Sequence, residues 1–404
     1  MQPGDAAAPR LPWRVPAALG ASQLVHWGSL YYAFAMLVPA MAGDLGGSRD
    51  AVMGAFSAGL LAQGAAALLA GRLIDRLGAR RVMTAGSLAA GLGLAAASRA
   101  EALWQLYAAW IAIGAVMAFT LYEAAFAAVA AAFGGAQARR GIAAVTLAGG
   151  FASTLSWPLV GLSVEGLGWR ATLLVLAALN AACALLHWLC LERPARGNDA
   201  VRPRMAGGDG ATLREILRHP GFWWLSGSTL LTAAVSASVA MHLVPALLSK
   251  QLDMAAAVAV AALLGPMQVA GRLVERTIGR HASLRAMGIT ALAVAVLALA
   301  GLAAAGGPLA AAMAVLAYGA ANGVLTILRG AAPAELFGTR AYASAAGIVA
   351  TANAVAAATG PLAVAWLWAA SGGYGVALFA LALVALVALA AFTVATRPPP
   401  AAKA

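Results

Sequence analysis

Twelve stretches of predominantly apolar residues follow one another along the 404-residue chain, with charges confined to the gaps between them. A helix needs about 20 such residues to cross the hydrocarbon core of a bilayer. The stretches are read as 15–42, 51–71, 82–99, 102–130, 142–164, 171–191, 222–249, 255–271, 285–304, 308–331, 343–367 and 373–396. A large soluble core is not an alternative, because 63% of residues are hydrophobic and 10% charged, against about 25% charged in an ordinary soluble domain. The runs are rich in Ala, Leu and Gly and do not alternate in polarity, which fits helices and not an outer-membrane barrel. The expectation is an all-α protein of a bacterial inner membrane. Its first stretch follows Arg10 and Arg14, is too long for the apolar core of a signal peptide, and is expected to remain as the first helix. Cys183 and Cys190 lie seven residues apart on one helix, too far for a disulfide.

A net charge of +12 would suggest nucleic acid in a soluble protein, but here the distribution matters more than the sum. With the amino terminus placed inside, 21 Lys and Arg fall on the inner face and 4 on the outer face, the latter being Arg49, Arg99, Arg170 and Lys250. Arg329 completes the 26. The positive-inside rule then supports twelve spans with both termini cytoplasmic. The basic surplus is a topology signal with some attraction to anionic lipid, and no nucleic-acid partner is implied.

The longest polar interval separates six stretches from six. The expected organisation is a cytoplasmic tail (1–14), a six-helix bundle (15–191), a cytoplasmic linker (192–221), a second six-helix bundle (222–396) and a cytoplasmic tail (397–404). Within the linker, Thr212 to Arg218 reads either as a short amphipathic helix on the membrane surface or as a solvated loop. A repeat supports the division. Gly71-Arg72-Leu73-Ile74-Asp75-Arg76-Leu77-Gly78-Ala79-Arg80-Arg81 joins helices 2 and 3, and Gly271-Arg272-Leu273-Val274-Glu275-Arg276-Thr277-Ile278-Gly279-Arg280 joins helices 8 and 9. Gly71, Gly78 and Gly271 permit tight turns or close helix approach. Asp75 can sit at the positive amino end of a neighbouring helix, and Arg76, Arg80, Arg272 and Arg276, with Glu275, can form pairs that hold a cytoplasmic gate shut.

Fourteen acids are present, and on this reading Glu123 on helix 4 is the one that lies well inside an apolar run. Aligning Thr120-Leu121 with Thr326-Ile327 gives Arg329 on helix 10 as its counterpart. An ionised group in hydrocarbon costs several kcal/mol, so such groups face a bundle interior or a water-filled cavity. Tyr318, Asn322, Thr326 and Arg329 share one helical face by spacing. Helix 1 carries Gln23, His26, Trp27 and Tyr31, helix 4 carries Tyr122 beside Glu123, and helix 7 carries Ser228, Thr232 and His242. His187, near the inner end of helix 6, is read as interfacial.

The loop motif, its position and the twelve-span layout resemble the major facilitator superfamily. His242-Leu243-Val244-Pro245-Ala246-Leu247 and Gly265-Pro266-Met267-Gln268-Val269-Ala270-Gly271-Arg272 are similar to a bacterial branch related to monocarboxylate porters, although the acid and arginine that the branch carries in the middle of helix 8 are not present. The resemblance implies a carrier whose helices 1, 4, 7 and 10 line a central cavity. Trp157-Pro158 interrupts the glycine series that exporting members carry on helix 5, which does not favour drug antiport.

The expected function is secondary transport of a small organic anion such as a carboxylate by alternating access, in a monomer. Arg329 would hold the anion, with Asn322, Tyr318, Thr326, His26, Trp27, Tyr31, His242 and Tyr122 shaping the site. Glu123 is the candidate proton carrier, and protons are the candidate coupling ion. Competing readings are an efflux pump for amphipathic compounds, with Glu123 holding a cation, and a nutrient sensor on a carrier scaffold. No His-Glu-x-x-His zinc motif, intramembrane aspartate pair or serine elbow supports an enzyme, and no cofactor or metal is expected.

Overall fold

The computed structural model describes residues 13–133, 135–191, 210–277 and 282–397, and these are almost entirely helical. The linker residues 192–209, most of both tails, and Ile278, Gly279 and Arg280 of the second motif copy lie outside the described residues. In chain order the helices are α1 (Arg14–His26), a π-helical turn (Trp27–Tyr32), α2 (Ala33–Asp44), α3 (Arg49–Leu77), α4 (Ala79–Ala97), α5 (Leu103–Thr120), α6 (Tyr122–Ala132), α7 (Gly135–Gly149) and α8 (Ala152–Cys190). There follow α9 (Leu213–Arg218), α10 (Pro220–Leu248), α11 (Met254–Ala262), α12 (Leu264–Thr277), α13 (Leu284–Ala304), α14 (Pro308–Phe337), α15 (Tyr342–Ser371) and α16 (Tyr374–Ala395). Ten helical stretches among the described residues are long and apolar enough to cross a membrane.

Several helices outrun the apolar stretches that announce them. The stretch at 51–71 belongs to a helix that continues to Leu77, and the one at 308–331 to a helix that reaches Phe337. Both end at glycines of positive φ, 83° at Gly78 and 80° at Gly338. Hydropathy marks where lipid stops, whereas a helix stops where the chain can leave helical geometry. The charged residues of the first motif copy before Gly78 are therefore helical, not loop.

Other helices are interrupted inside the apolar stretches. Helical geometry breaks at Leu121, where φ and ψ are −80° and −164°, between α5 and α6. It breaks again at Gly150 and Phe151 between α7 and α8, and at Gly168, with φ of 79°, inside α8. A broken helix in lipid must have its freed polar groups met by neighbours. The Gln23 amide does this for the first break, donating from Nε2 to the Thr120 carbonyl at 2.7 Å.

Buried apolar side chains gather in three clusters. One draws on residues 30–177, a second on residues 235–385, and the third joins 15–191 with 216–392. The third lies where α3 and α14 end and α15 begins. Under it sits α9, whose Thr212 hydroxyl accepts from Glu215 N–H at 3.3 Å while Thr212 N–H donates to the Glu215 carboxylate at 2.6 Å. Ile216 is buried, and Ala211 N–H donates to the Phe337 carbonyl at 3.0 Å. The short helix is thus tied to protein, beyond the membrane-surface placement its pattern suggests.

Candidate functional site

The two ionisable groups that the sequence places in hydrocarbon meet. Arg329 Nη2 donates to Glu123 Oε1 at 2.7 Å across 206 residues of sequence, with 36% and 25% of the side chains exposed. Such partial exposure places the pair at the edge of a cavity and not inside a dry core. Glu123 occupies the first turn of α6, created by the break at Leu121, where a half-helix presents its positive amino end to the carboxylate.

Arg329 lines a cavity of about 180 Å³ built by α10, α13, α14 and α16. Asn322 and Thr326 share its wall, as their spacing predicts, and Ser228 and Thr232 face them from α10. Ser236 and Thr229 join them on the wall. The four-residue step from Ser228 to Thr232 continues to Ser236, so that signal was present in the sequence. Ser236 Oγ donates to Asn322 Oδ1 at 3.1 Å, and Tyr318 Oη donates to Ser236 at 3.3 Å from a buried position behind the wall. Tyr318 supports the site more than it lines it.

On the other side of Glu123 is an aromatic group. Trp27 lies 5.0 Å from Tyr122 and 5.2 Å from Tyr31 between ring centroids, and Tyr31 lies 5.1 Å from Phe56. Tyr32 also packs on Trp27 and Tyr31. Tyr32 escapes an α-helical reading because the π-helical turn at Trp27–Tyr32 rotates the residues after it; such turns recur at functional sites. Tyr122 stacks on Phe126 at 5.1 Å, and a β-carbon on Gly330, next to Arg329, would collide with the Phe126 ring.

The structure brings neither candidate histidine to this cavity. His26 is fully buried, with Nδ1 2.8 Å from Asn180 Oδ1 and Nε2 3.2 Å from Ser87 Oγ. Ser87 Oγ also lies 3.1 Å from His187 Nδ1. His187 is fully buried here, not interfacial as its place near a helix end suggests. The cluster ties α1, α4 and α8 together beside the π-helical turn. His242 is held by Pro361 and Tyr374, with Nε2 3.0 Å from the Pro361 carbonyl and Nδ1 3.2 Å from Tyr374 Oη.

The motif residues form a seam. Asp75 accepts from the Ser344 and Ala343 amides at 2.8 and 3.2 Å, at the amino end of α15, and a β-carbon on Gly71 would overlap the Ala343 carbonyl. In the second copy, Glu275 lies 4.0 Å from Arg139, which is 3.6 Å from Glu335. Arg272 is buried and donates from Nη1 to the Thr146 carbonyl at 2.7 Å, beside the break between α7 and α8. Gly271 packs against Ala320. Arg80 lies over the Trp188 ring at 4.3 Å and Arg276 over the Trp13 ring at 5.2 Å, while Arg76 is exposed.

The Major Facilitator Superfamily family model matches residues 19–361. No curated protein sequence matches the chain. Among solved structures, the chain is similar to the human organic anion transporter MFSD10, at 16% identity and a TM-score of 0.75, covering 95% of this chain and 100% of that one. It is similar to the E. coli fucose:proton symporter FucP at 15% identity and 0.75, covering 95% and 99%. The proton:xylose symporter XylE follows at 13% identity and 0.73, covering 94% of each chain.

Proposed function

The chain belongs to the major facilitator superfamily of transporters, and from that premise we propose that it carries a small organic anion, with a proton, by alternating access. The observation that carries the reading is the Arg329–Glu123 pair at the edge of a hydroxyl-lined cavity. A guanidinium fork matches a carboxylate, so an anionic substrate competes with Glu123 for Arg329. The displaced carboxylate is then left without its partner in low dielectric, where a charge is costly unless neutralised. A proton neutralises it. Anion on Arg329 and proton on Glu123 together keep the site as neutral as the empty pair, which lets the loaded carrier rearrange. MFSD10 is named an organic anion transporter and FucP a proton symporter, but at such low identity they share the fold, and the anion reading rests on Arg329.

The same reading takes the chain as twelve spans in two six-helix halves, working as a monomer in a bacterial inner membrane with both termini cytoplasmic. The stretch Gln137–Cys190, at 54 residues, would be about 80 Å long as one helix, against about 30 Å of hydrocarbon. Its break at Gly168 suits two crossings, and α4, with 19 residues, supplies the twelfth. The contacts of Asp75, Arg139 and Arg272 then act as the cytoplasmic gate, closed in this conformation. Arg214→Cys and Gly306→Cys should label from opposite faces of the membrane; labelling from one face overturns this topology.

Proteoliposome uptake of carboxylates from pH 5 to 8 tests the mechanism. Arg329→Lys is expected to weaken anion binding although the charge is kept, because a point ammonium lacks the planar fork. Glu123→Gln is expected to remove the pH dependence while leaving exchange. If both single variants merely lower the melting temperature, and the double neutral variant restores it with transport unaltered, the pair is structural and both roles fall.

A further inference from the structure

The cavity beside Arg329 has a definite hydrogen-bonding polarity. Thr229 Oγ1 donates to the Ser226 carbonyl at 2.9 Å, Thr232 to the Ser228 carbonyl at 2.8 Å, and Thr326 to the Asn322 carbonyl at 2.9 Å. Ser228 donates to the Ala388 carbonyl at 2.8 Å, and Ser236 to Asn322 Oδ1 at 3.1 Å. A hydroxyl has one proton and two lone pairs. With their protons committed to backbone, Thr229, Thr232 and Thr326 turn oxygen lone pairs toward the cavity. The donors facing it are the Asn322 amide, whose oxygen is occupied by Ser236, and the N–H groups of Arg329 other than the one on Glu123. The remaining surface is apolar, from Leu225, Ala233, Leu292, Leu325, Leu328 and Phe392.

An alkanoate would satisfy Arg329 and leave three acceptor oxygens facing methylene groups. A neutral polyol would satisfy the acceptors but leave Arg329 on Glu123, gaining no charge-assisted bond from the guanidinium. We propose that this cavity selects small hydroxylated carboxylates, with the carboxylate on Arg329 and the Asn322 amide and the hydroxyl protons given to Thr229, Thr232 and Thr326. The inference rests on the reading of the Arg329 cavity as the substrate site. Each hydroxyl-to-threonine bond is worth about five-fold in affinity, so a ligand that makes two of them exceeds its deoxy analogue by more than ten-fold.

The test is calorimetric binding to the purified full-length chain, with glycerate against propionate and 2,3,4-trihydroxybutanoate against butyrate, and with glycerol and serine as the neutral and zwitterionic comparisons. The hydroxylated acids are expected to bind at least ten-fold tighter than their deoxy partners and than glycerol or serine. Thr232→Val and Thr326→Val should each cut that ratio about five-fold without changing melting temperature, and Thr232→Ser should keep it. Arg329→Gln should abolish binding of both kinds of acid. Equal or tighter alkanoate binding that Arg329→Gln abolishes overturns the substrate class and leaves the site reading standing. Binding of hydroxylated acids that survives Arg329→Gln overturns the site reading and the inference with it. Failure of every hydroxylated acid to bind, or binding of serine or glycerol as tight as theirs, also overturns the inference.

Discussion

The two copies of the loop motif share their glycine, arginine, acid and arginine at the same spacing, yet they hold the seam by different physics. In the first copy Asp75 lies at the rim and meets backbone amides, those of Ala343 and Ser344, while Arg72 is exposed. In the second, Glu275 is buried opposite a charged side chain, Arg139, and Arg272 is buried with its guanidinium on the Thr146 carbonyl. The glycines differ as well. Gly71 presses on α15, and Gly271 on α14. The cause is what each helix faces: the end of α3 meets a helix start, with free amides, whereas the end of α12 meets α7 at Arg139. A repeated motif fixes which groups are offered, and the opposing surface decides which bond they make.

The largest effect that would test this contrast comes from Arg139→Ala. It strands Glu275 and Glu335, whose side chains are 4% and 22% exposed, and removing one partner of a buried ionic group costs about 3–5 kcal/mol. A marked drop in melting temperature is expected, largely restored when Glu275→Gln and Glu335→Gln are added. If Arg139→Ala is neutral, the second copy is not held by charge. Next in size are Gly71→Ala and Gly271→Ala, each expected to cost about 1–3 kcal/mol by overpacking. Only the first should increase labelling of a Ser344→Cys probe, because only Gly71 abuts α15; equal labelling in both would erase the distinction. The smallest is Asp75→Asn, expected to cost about 1 kcal/mol at a helix amino end and to slow turnover with substrate affinity unchanged. Arg72→Ala should leave melting temperature and turnover where they are. Lost substrate binding in Asp75→Asn would move that residue from the gate to the site.

The cavity shows the same division between what is offered and what is met. Asn322, Thr326 and Arg329 could be placed on one face by spacing alone, and Ser228 and Thr232 implied Ser236. Tyr32 could not, because it turns inward only through a π-helical turn that no α-helical period contains. His26 carries the same sequence signal as Trp27, a polar group in an apolar run, but burial beside Asn180 and Ser87 spends it on the bundle interior. For His187, nearness to a helix end suggested an interface, and packing against α1 and α4 enclosed it instead.

By itself the sequence determined that this chain is a succession of apolar helices, where the loop motif recurs, and which ionisable groups stand inside apolar runs. These follow from properties of one residue or one helical turn: transfer to lipid, charge, and the 3.6-residue period. The tertiary structure alone decided that Glu123 meets Arg329, that Arg272 is buried while Arg72 is not, and that the threonine oxygens face a common cavity. Those outcomes depend on contacts between residues as far as 206 apart, and such contacts are set by how whole helices pack, which no local pattern encodes.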